Sequence, residues 1–334
     1  MKIALVFDTL HPDWEDADYK KDVEAKVEEA EYDVARALMA KGHDVLMVGV
    51  AEQLGGMLER LGAFQPKLVF NGCEAFRGQA RHEYALAAVL EMHGYRYTGS
   101  PPTALLVARN KSLTKKILAH HGIRVPAFAE FPAGEKPLRP SELRFPLIVK
   151  PLLEDASIGI AQASVVANDD DLAERVQFVH EKFRQAAIVE ELIEGRELYA
   201  GLIGNAKLQV LPLVELTFGE SNGDHQIATY KAKWDEEYRK RKKIRNVFAK
   251  GLADEVTGKI GDICTTAFHA LWLQDYGRVD LRLTHDNEVY VLEVNPNPFL
   301  AYENEMADAA EKAGMGYNDF IQRIVDEALA RDSA

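Results

Sequence analysis

Residues 278–295 read Arg278-Val279-Asp280-Leu281-Arg282-Leu283-Thr284-His285-Asp286-Asn287-Glu288-Val289-Tyr290-Val291-Leu292-Glu293-Val294-Asn295. Two apolar, β-branched runs flank a turn-forming Asp286-Asn287, the pattern of a β-hairpin. A two-residue turn pairs His285 with Glu288, and counting back sets Asp280 opposite Glu293 and Arg278 opposite Asn295. Alternation then puts Arg278, Asp280, Glu293 and Asn295 on one sheet face. Carboxylates directly opposed across a ladder repel. A hard cation such as Mg²⁺ relieves that repulsion with two carboxylates and an amide oxygen. An open polar sheet face, with the acids wet or paired to arginines, fits the same residues.

The bulk numbers narrow the choice. The chain has 334 residues, enough for two or three structural units. Its 40 Lys and Arg against 53 Asp and Glu leave a net charge of −13, which disfavours a general nucleic-acid binder. Salt-dependent association through the basic run 239–245 stays open at this level. Cys73 and Cys264 make neither a disulfide framework nor a zinc set, as in a reducing compartment. The apolar stretch Ile3 to Phe7 is too short for a signal sequence, and no segment approaches membrane-spanning length. A cytoplasmic globular protein is expected.

Elements alternate over the first hundred residues. Strands are expected at 3–7, 44–50 and 68–70, with helices carrying Val23 to Leu38 and Glu83 to His93. That is a small parallel α/β unit, which binds ligands at the carboxyl ends of its strands, here 8–15 and 71–83. A helix over 111–121 and the strand 147–151, which delivers Lys150, begin a second unit. Further strands are expected at 197–204 and 207–214, with a long helix near 252–273 and closing helices from 303 and 317. Lys150 precedes the small-residue turn Glu154-Asp155-Ala156-Ser157-Ile158-Gly159, a plausible phosphate cradle beside Lys111. Glu190 and Glu197 flank a short connection suited to an adenine amino group and to ribose hydroxyls. Each of these features alone also reads as ordinary surface charge. Walker A and Gly-x-Gly-x-x-Gly are both absent.

Together, in this order, the segments resemble the ATP-grasp superfamily, and within it the D-alanine–D-alanine ligase branch. The segments are Tyr97-Thr98-Gly99-Ser100, 110–115, 148–151, Gly277-Arg278-Val279-Asp280 and Leu292-Glu293-Val294-Asn295-Pro296. The resemblance implies an α/β (α+β) ATP-grasp fold with a pre-ATP-grasp domain at 1–108, a central subdomain at 109–195 and a C-terminal subdomain at 196–334. It implies an ATP-dependent carboxylate–amine ligase working through an acyl phosphate on small-molecule substrates, without nucleic acid or membrane. Lys111 and Lys150 resemble the phosphate-binding lysines, Glu190 the adenine-side acid and Glu197 the ribose acid. Lys233 matches a lysine on a mobile lid, expected at 217–246, that reaches the γ-phosphate. Asp280, Glu293 and Asn295 resemble ligands of two Mg²⁺ ions, sites that Mn²⁺ also suits. Arg278 resembles the arginine that stabilises the reacting acyl group, and Ser157 joins Arg278 and Lys233 as a catalytic candidate. A homodimer is common in that family.

Three departures fall on the substrate side. Ala156 stands where those ligases have a serine. Phe299, Tyr302 and Glu303 replace a glycine and small hydroxylic residues. The 9–18 loop has no clear counterpart. The acceptor or acyl pocket is therefore expected to use Glu74, Arg77, His82, Glu83 and Asn297, with Arg77, Arg81 and His82 suited to a carboxylate and Glu74 or Glu83 to an ammonium. Intramolecular ion pairs in a βα loop fit the same charges. D-alanine–D-alanine ligation itself, and a non-catalytic ATP-binding regulator, are the alternative functions.

Overall fold

The structure is a computed structural model describing residues 1–9, 19, 23, 29–135, 137–219 and 223–331. Strands β1 (Lys2–Asp8), β2 (Asp44–Val50) and β3 (Leu68–Asn71) form a parallel sheet in the order β2-β1-β3. Their inner runs, such as Ile3 to Val6, are buried on both faces, as parallel strands require. The carboxyl ends bring Asp8 and Asn71 to one edge. Helix Glu83–Met92 forms as the periodicity predicts, while the expected helix from Val23 is described as the continuous span Ala30–Ala40. Most of the 9–18 loop lies outside the described residues.

The second sheet is antiparallel. It holds β4 (Phe128–Phe131), β5 (Leu147–Pro151), β6 (Val165–Val166) and β7 (Ala187–Glu191), in the order β4-β7-β5-β6. The third holds β8 (Arg196–Gly204), β9 (Leu208–Val210), β10 (Val214–Thr217), β11 (Arg245–Phe248), β12 (Tyr276–Leu283) and β13 (Val289–Asn295). Its path is β11-β10-β8-β12-β13, with β9 on β8. The strand expected over 207–214 is broken, because Pro212 has no N–H for a ladder bond. The long helix runs Asp254–Ala270 and buries Ile260, Cys264 and Phe268 against the third sheet.

The chain closes on its beginning. Helix Tyr317–Ala330 buries Phe320, Ile321 and Ile324 in one core with Leu5, Phe70, Val34 and Leu38. Each such side chain stabilises by ~2 kcal/mol, so the first sheet and the C-terminal helices hold each other in place. Among the described residues no helix is long and apolar enough to cross a membrane.

Candidate active site

The hairpin β12–β13 pairs Asp280 with Glu293 and Arg278 with Asn295, as its sequence predicts, but by a different route. The connection is three residues, not two. Thr284 N–H donates to Glu288 O (2.9 Å), Asn287 N–H donates to Thr284 O (3.0 Å), and Asn287 is left-handed at φ 60°. That shifts the register by one residue, so Leu281 faces Val291. A bulge at Leu292 shifts it back. The Leu292 carbonyl, freed from the ladder, accepts from Lys115 Nζ at 2.7 Å.

Each of the four acids expected from the sequence, Asp280, Glu293, Glu190 and Glu197, has a cation. Arg278 holds Asp280 through Nε–Oδ1 (2.7 Å) and Nη2–Oδ2 (3.0 Å). Lys111 Nζ lies 2.9 Å from Glu293 Oε1 and 3.2 Å from Asp155 Oδ1. Burial pushes the Glu293 carboxyl up, but Lys111, Lys233 and Lys150 outweigh it and hold the group well below the usual range. For Asp280 burial prevails over Arg278, and its carboxyl is raised. Glu190, 1% exposed, lies between Lys150 (2.8 Å) and Lys115 (3.3 Å). Burial pushes the Lys115 ammonium down to about 8, with Glu190 opposing. Glu197 Oε2 is bound by Arg282 at 2.6 Å, while Tyr199 Oη donates to Oε1 at 3.1 Å.

These side chains line a cleft of about 730 Å³ between the two antiparallel sheets. Its walls carry Lys111, Lys150, Ser157, Glu190, Glu197, Lys233, Asp280 and Glu293, and its apolar lining includes Ile148, Leu192, Ile193 and Leu292. Ala156 and Ser157 are both left-handed, at φ 53° and 60°. Gly159 follows at φ +79°, where an added Cβ would meet Pro151 at 2.7 Å. Two successive left-handed residues ahead of that glycine make a compact turn at the cleft wall, a backbone shape suited to anionic oxygens.

The expected lid is not a plain loop. Helices Tyr230–Trp234 and Glu236–Lys242 occupy its middle, because Thr229 and Asp235 accept from Ala232 N and Tyr238 N as N-caps. It is fastened to the phosphate turn. Trp234 Nε1 donates to Ala156 O (2.9 Å), Tyr230 N to Ile160 O (3.0 Å), and Gln162 exchanges two bonds with His225. Within the basic run, Arg239 turns inward onto Ala232 O (2.5 Å).

Beyond Lys233 and Glu154 a second chamber of about 1860 Å³ opens, reached by Arg278, Asn295, Asn297, Glu74, Glu83 and Arg239. Of the substrate-side candidates, Glu74, Glu83 and Asn297 line it, and Arg77 and His82 do not. Arg77 Nε donates to Glu52 O (3.1 Å) because its left-handed backbone (φ 53°) turns the side chain away. Arg81 is exposed and bonds Gln79. Glu83 is buried on Arg109 (2.5 Å), and Arg109 also pairs with Asp155 (2.8 Å). Asn297 is fixed by Ser100 N–H donating to its Oδ1 at 2.9 Å, an approach that Gly99 permits because a Cβ there would lie 2.6 Å from Oδ1. Burial pushes the Cys73 thiol well up, leaving it unreactive.

Lys115, Arg109 and Arg282 are not singled out by the sequence alone. Lys115 sits four residues after Lys111 on one helix, a spacing that puts both on the same face.

The arrangement matches known proteins over most of its length. The family model described as D-ala D-ala ligase C-terminus matches residues 117–326. This chain belongs to the D-alanine–D-alanine ligase family. It is 31% identical over 310 residues to a D-alanine–D-alanine ligase of Desulforudis audaxviator, covering 89% of this chain and 92% of that one. It is 33% identical over 306 residues to a Sinorhizobium fredii protein called uncharacterized protein y4sG, covering 89% and 87%. The crystal structure of Bacillus anthracis D-alanine–D-alanine ligase complexed with ATP superposes with a TM-score of 0.74 at 20% identity, over 98% of this chain and 97% of that one. The fold is therefore ATP-grasp, with the cleft between its two antiparallel sheets.

Proposed function

We propose that this family member is an ATP-dependent carboxylate–amine ligase with the nucleotide in the inter-sheet cleft and the reacting carboxylate and amine in the chamber beyond Lys233. The observation that carries the reading is the continuity of the two spaces at Lys233 and Glu154, with Asp280 lining the cleft and Arg278, bonded to it, lining the chamber. The same reading assigns 1–108, 109–195 and 196–334 as its three domains, and a cytoplasmic homodimer as its working form.

The chemistry follows from charge. A carboxylate resists an amine because it is anionic and its oxygen leaves poorly. Phosphoryl transfer from ATP gives an acyl phosphate and ADP, and attack by the amine then forms the amide and expels phosphate. Lys111, Lys150 and Lys233 offset the phosphate charge, with Ser157 in the turn. Glu190 positions Lys150 and takes the adenine side, and Glu197 takes the ribose hydroxyls. Arg278 holds negative charge developing on the carbonyl oxygen. The lid, fastened to the phosphate turn, excludes water that would hydrolyse the acyl phosphate.

Asp280, Glu293 and Asn295 fit Mg²⁺. Two facing carboxylates and an amide are hard donors too few for a complete shell, as suits an ion that keeps water and phosphate oxygens. When bound, Mg²⁺ (two ions, with Mn²⁺ able to substitute) would neutralise phosphate charge. D-alanine–D-alanine ligation is the second reading, favoured by the relatives' names and disfavoured by Ala156 and Phe299. Phosphate release from Mg·ATP with D- and L-amino acids, singly and in pairs, tests the proposal when products are identified by mass. Turnover with D-alanine alone would select the second reading, and ATP binding without turnover on any pair would leave a regulator.

A further inference from the structure

Arg282 lies on β12 in the wall of the cleft and is 5% exposed, yet it bonds three separate parts of the chain. Nη1 donates to Gly195 O (2.8 Å), in the connection that joins the two antiparallel sheets. Nη2 donates to Glu197 Oε2 (2.6 Å), the acid expected at the ribose, and to Gln226 O (2.5 Å), in the lid. A single nitrogen thus serves the cleft wall and the lid backbone. Gln226 leads into Ile227 and Ala228, which line the same cleft, so this bond fixes the part of the lid that faces it.

The surroundings are shaped to that side chain. Gly195 has φ +144°, and an added Cβ would lie 2.2 Å from Leu283 O, so only glycine lets the connection pass close enough to β12 to offer its carbonyl. Glu197 is 6% exposed and is held from its other side by Tyr199 Oη on Oε1 (3.1 Å). With one bond to each oxygen, the plane of its carboxylate is set, and its remaining lone pairs stay open to hydroxyls. A planar guanidinium serves three acceptors at fixed angles, which the single nitrogen of a lysine does not. Opening the lid would break the bond to Gln226, a charge-assisted contact and so among the stronger hydrogen bonds to lose. The aim of Glu197 and the closure of the lid are therefore linked through one side chain.

We propose that Arg282 is a positioning residue that makes the ribose acid and the lid one unit, aiming Glu197 at the ribose hydroxyls and holding the lid over the same nucleotide through Gln226. This rests on the ligase reading for the occupant of the cleft. It adds that the ribose, and not the phosphates alone, governs the lid.

Two measurements on the full chain test it, and neither needs amide formation. Trypsin reads opening of the lid, because Lys240, Arg241, Lys243 and Arg245 are exposed on it and cuts there can be mapped by mass. Direct binding compares ATP with 2′,3′-dideoxy-ATP, which lacks the ribose hydroxyls. The unsubstituted chain should prefer ATP by at least about tenfold, the scale of a hydrogen bond to a charged group, and ATP should protect the lid better than the analogue does. Arg282→Met should raise lid cleavage about tenfold and bring the two nucleotides to within about twofold of each other in both affinity and protection. Arg282→Lys leaves Glu197 a cation, so it should keep most of the ribose preference while lid cleavage still rises. Unfolding midpoints would establish that the variants fold, and the lysine variant carries the lid test if the methionine variant does not. A residue that merely braces the sheet would lower the midpoint and move neither ratio. Lid cleavage unchanged in Arg282→Lys, or a ribose preference that survives Arg282→Met, overturns this proposal alone. Failure of the unsubstituted chain to bind ATP would remove the ligase reading and this proposal with it.

Discussion

In the cleft between the antiparallel sheets, acids and bases hold one another: Glu190 has Lys115 and Lys150, Glu293 has Lys111, and Asp280 has Arg278. In the chamber at the end of the parallel sheet, Asp8, Glu31 and Glu74 share a lining with no basic residue among the described residues. The first region is close to neutral in itself. On the proposed reading its charges would be reorganised when ATP and a metal ion arrive, because Lys111 and Lys150, now on acids, are the lysines proposed to turn to phosphates. The second leaves its acids to solvent and to more distant charge, with Arg109 acting on Glu74. A site for a common nucleotide can be built as a balanced network, whereas a site that discriminates substrates keeps its groups uncommitted.

The strongest way to break this contrast is to unbalance the neutral side. Glu190→Ala leaves two buried lysines facing each other, and should cost about 3–5 kcal/mol, read as a lower unfolding midpoint. An unchanged midpoint would mean the lysines already find water. Arg278→Ala lies at the junction. It should slow amide formation about 10²–10³-fold, with nucleotide affinity nearly unchanged in direct binding. Lost nucleotide binding would move Arg278 to the neutral side of the comparison.

The lid links the two regions. Trp234→Phe keeps the ring and removes the bond to Ala156, worth about 1 kcal/mol. Phosphate release uncoupled from amide formation should rise a few-fold, and an unchanged ratio would make that bond incidental to closure. The smallest effect is on the unpaired side. Glu74 is exposed at the rim, yet desolvation by its surroundings, with Asp8 and Glu31 beside it, raises it in the folded chain from 4.5 to about 7, so solvent keeps the effect small. The folded state therefore binds more protons than the unfolded one between those values, and its contribution to stability is lost as pH rises through about 7. Glu74→Gln should flatten that part of the apo stability profile, and an unaltered slope would place the titrating group elsewhere.

The two regions also differ in how far they could be read from the chain. Arg278, Asp280, Glu293 and Asn295 belong to one hairpin, so counting back from its turn gives their facing pairs, although the turn and the bulge that cancel on the way were not legible. The strand that delivers Lys150 and the helix that starts at Lys111 were legible from equally local patterns. Lys115 escaped because a buried lysine looks like any helix lysine until Glu190, 75 positions on, is folded beside it. The end-of-strand rule pointed to Asp8 and to 71–83, yet it could not separate Glu74, which lines the space, from Arg77, which a left-handed backbone turns away. Glu31 and Asn297 reach that space from a helix and from the segment after β13, a juxtaposition that no local pattern encodes.

The hairpin carries a lesson about motif spacing. Its three-residue connection and the bulge at Leu292 are offsets of opposite sign, so Asp280 and Glu293 meet only because the two cancel. Between the tip and the site, residue count does not measure distance. In a homologue that kept the three-residue connection but lost the bulge, position 292 rather than 293 would face Asp280. The turn and the bulge therefore have to be aligned as one feature, because a motif of fixed spacing would read the wrong residue as the partner of Asp280.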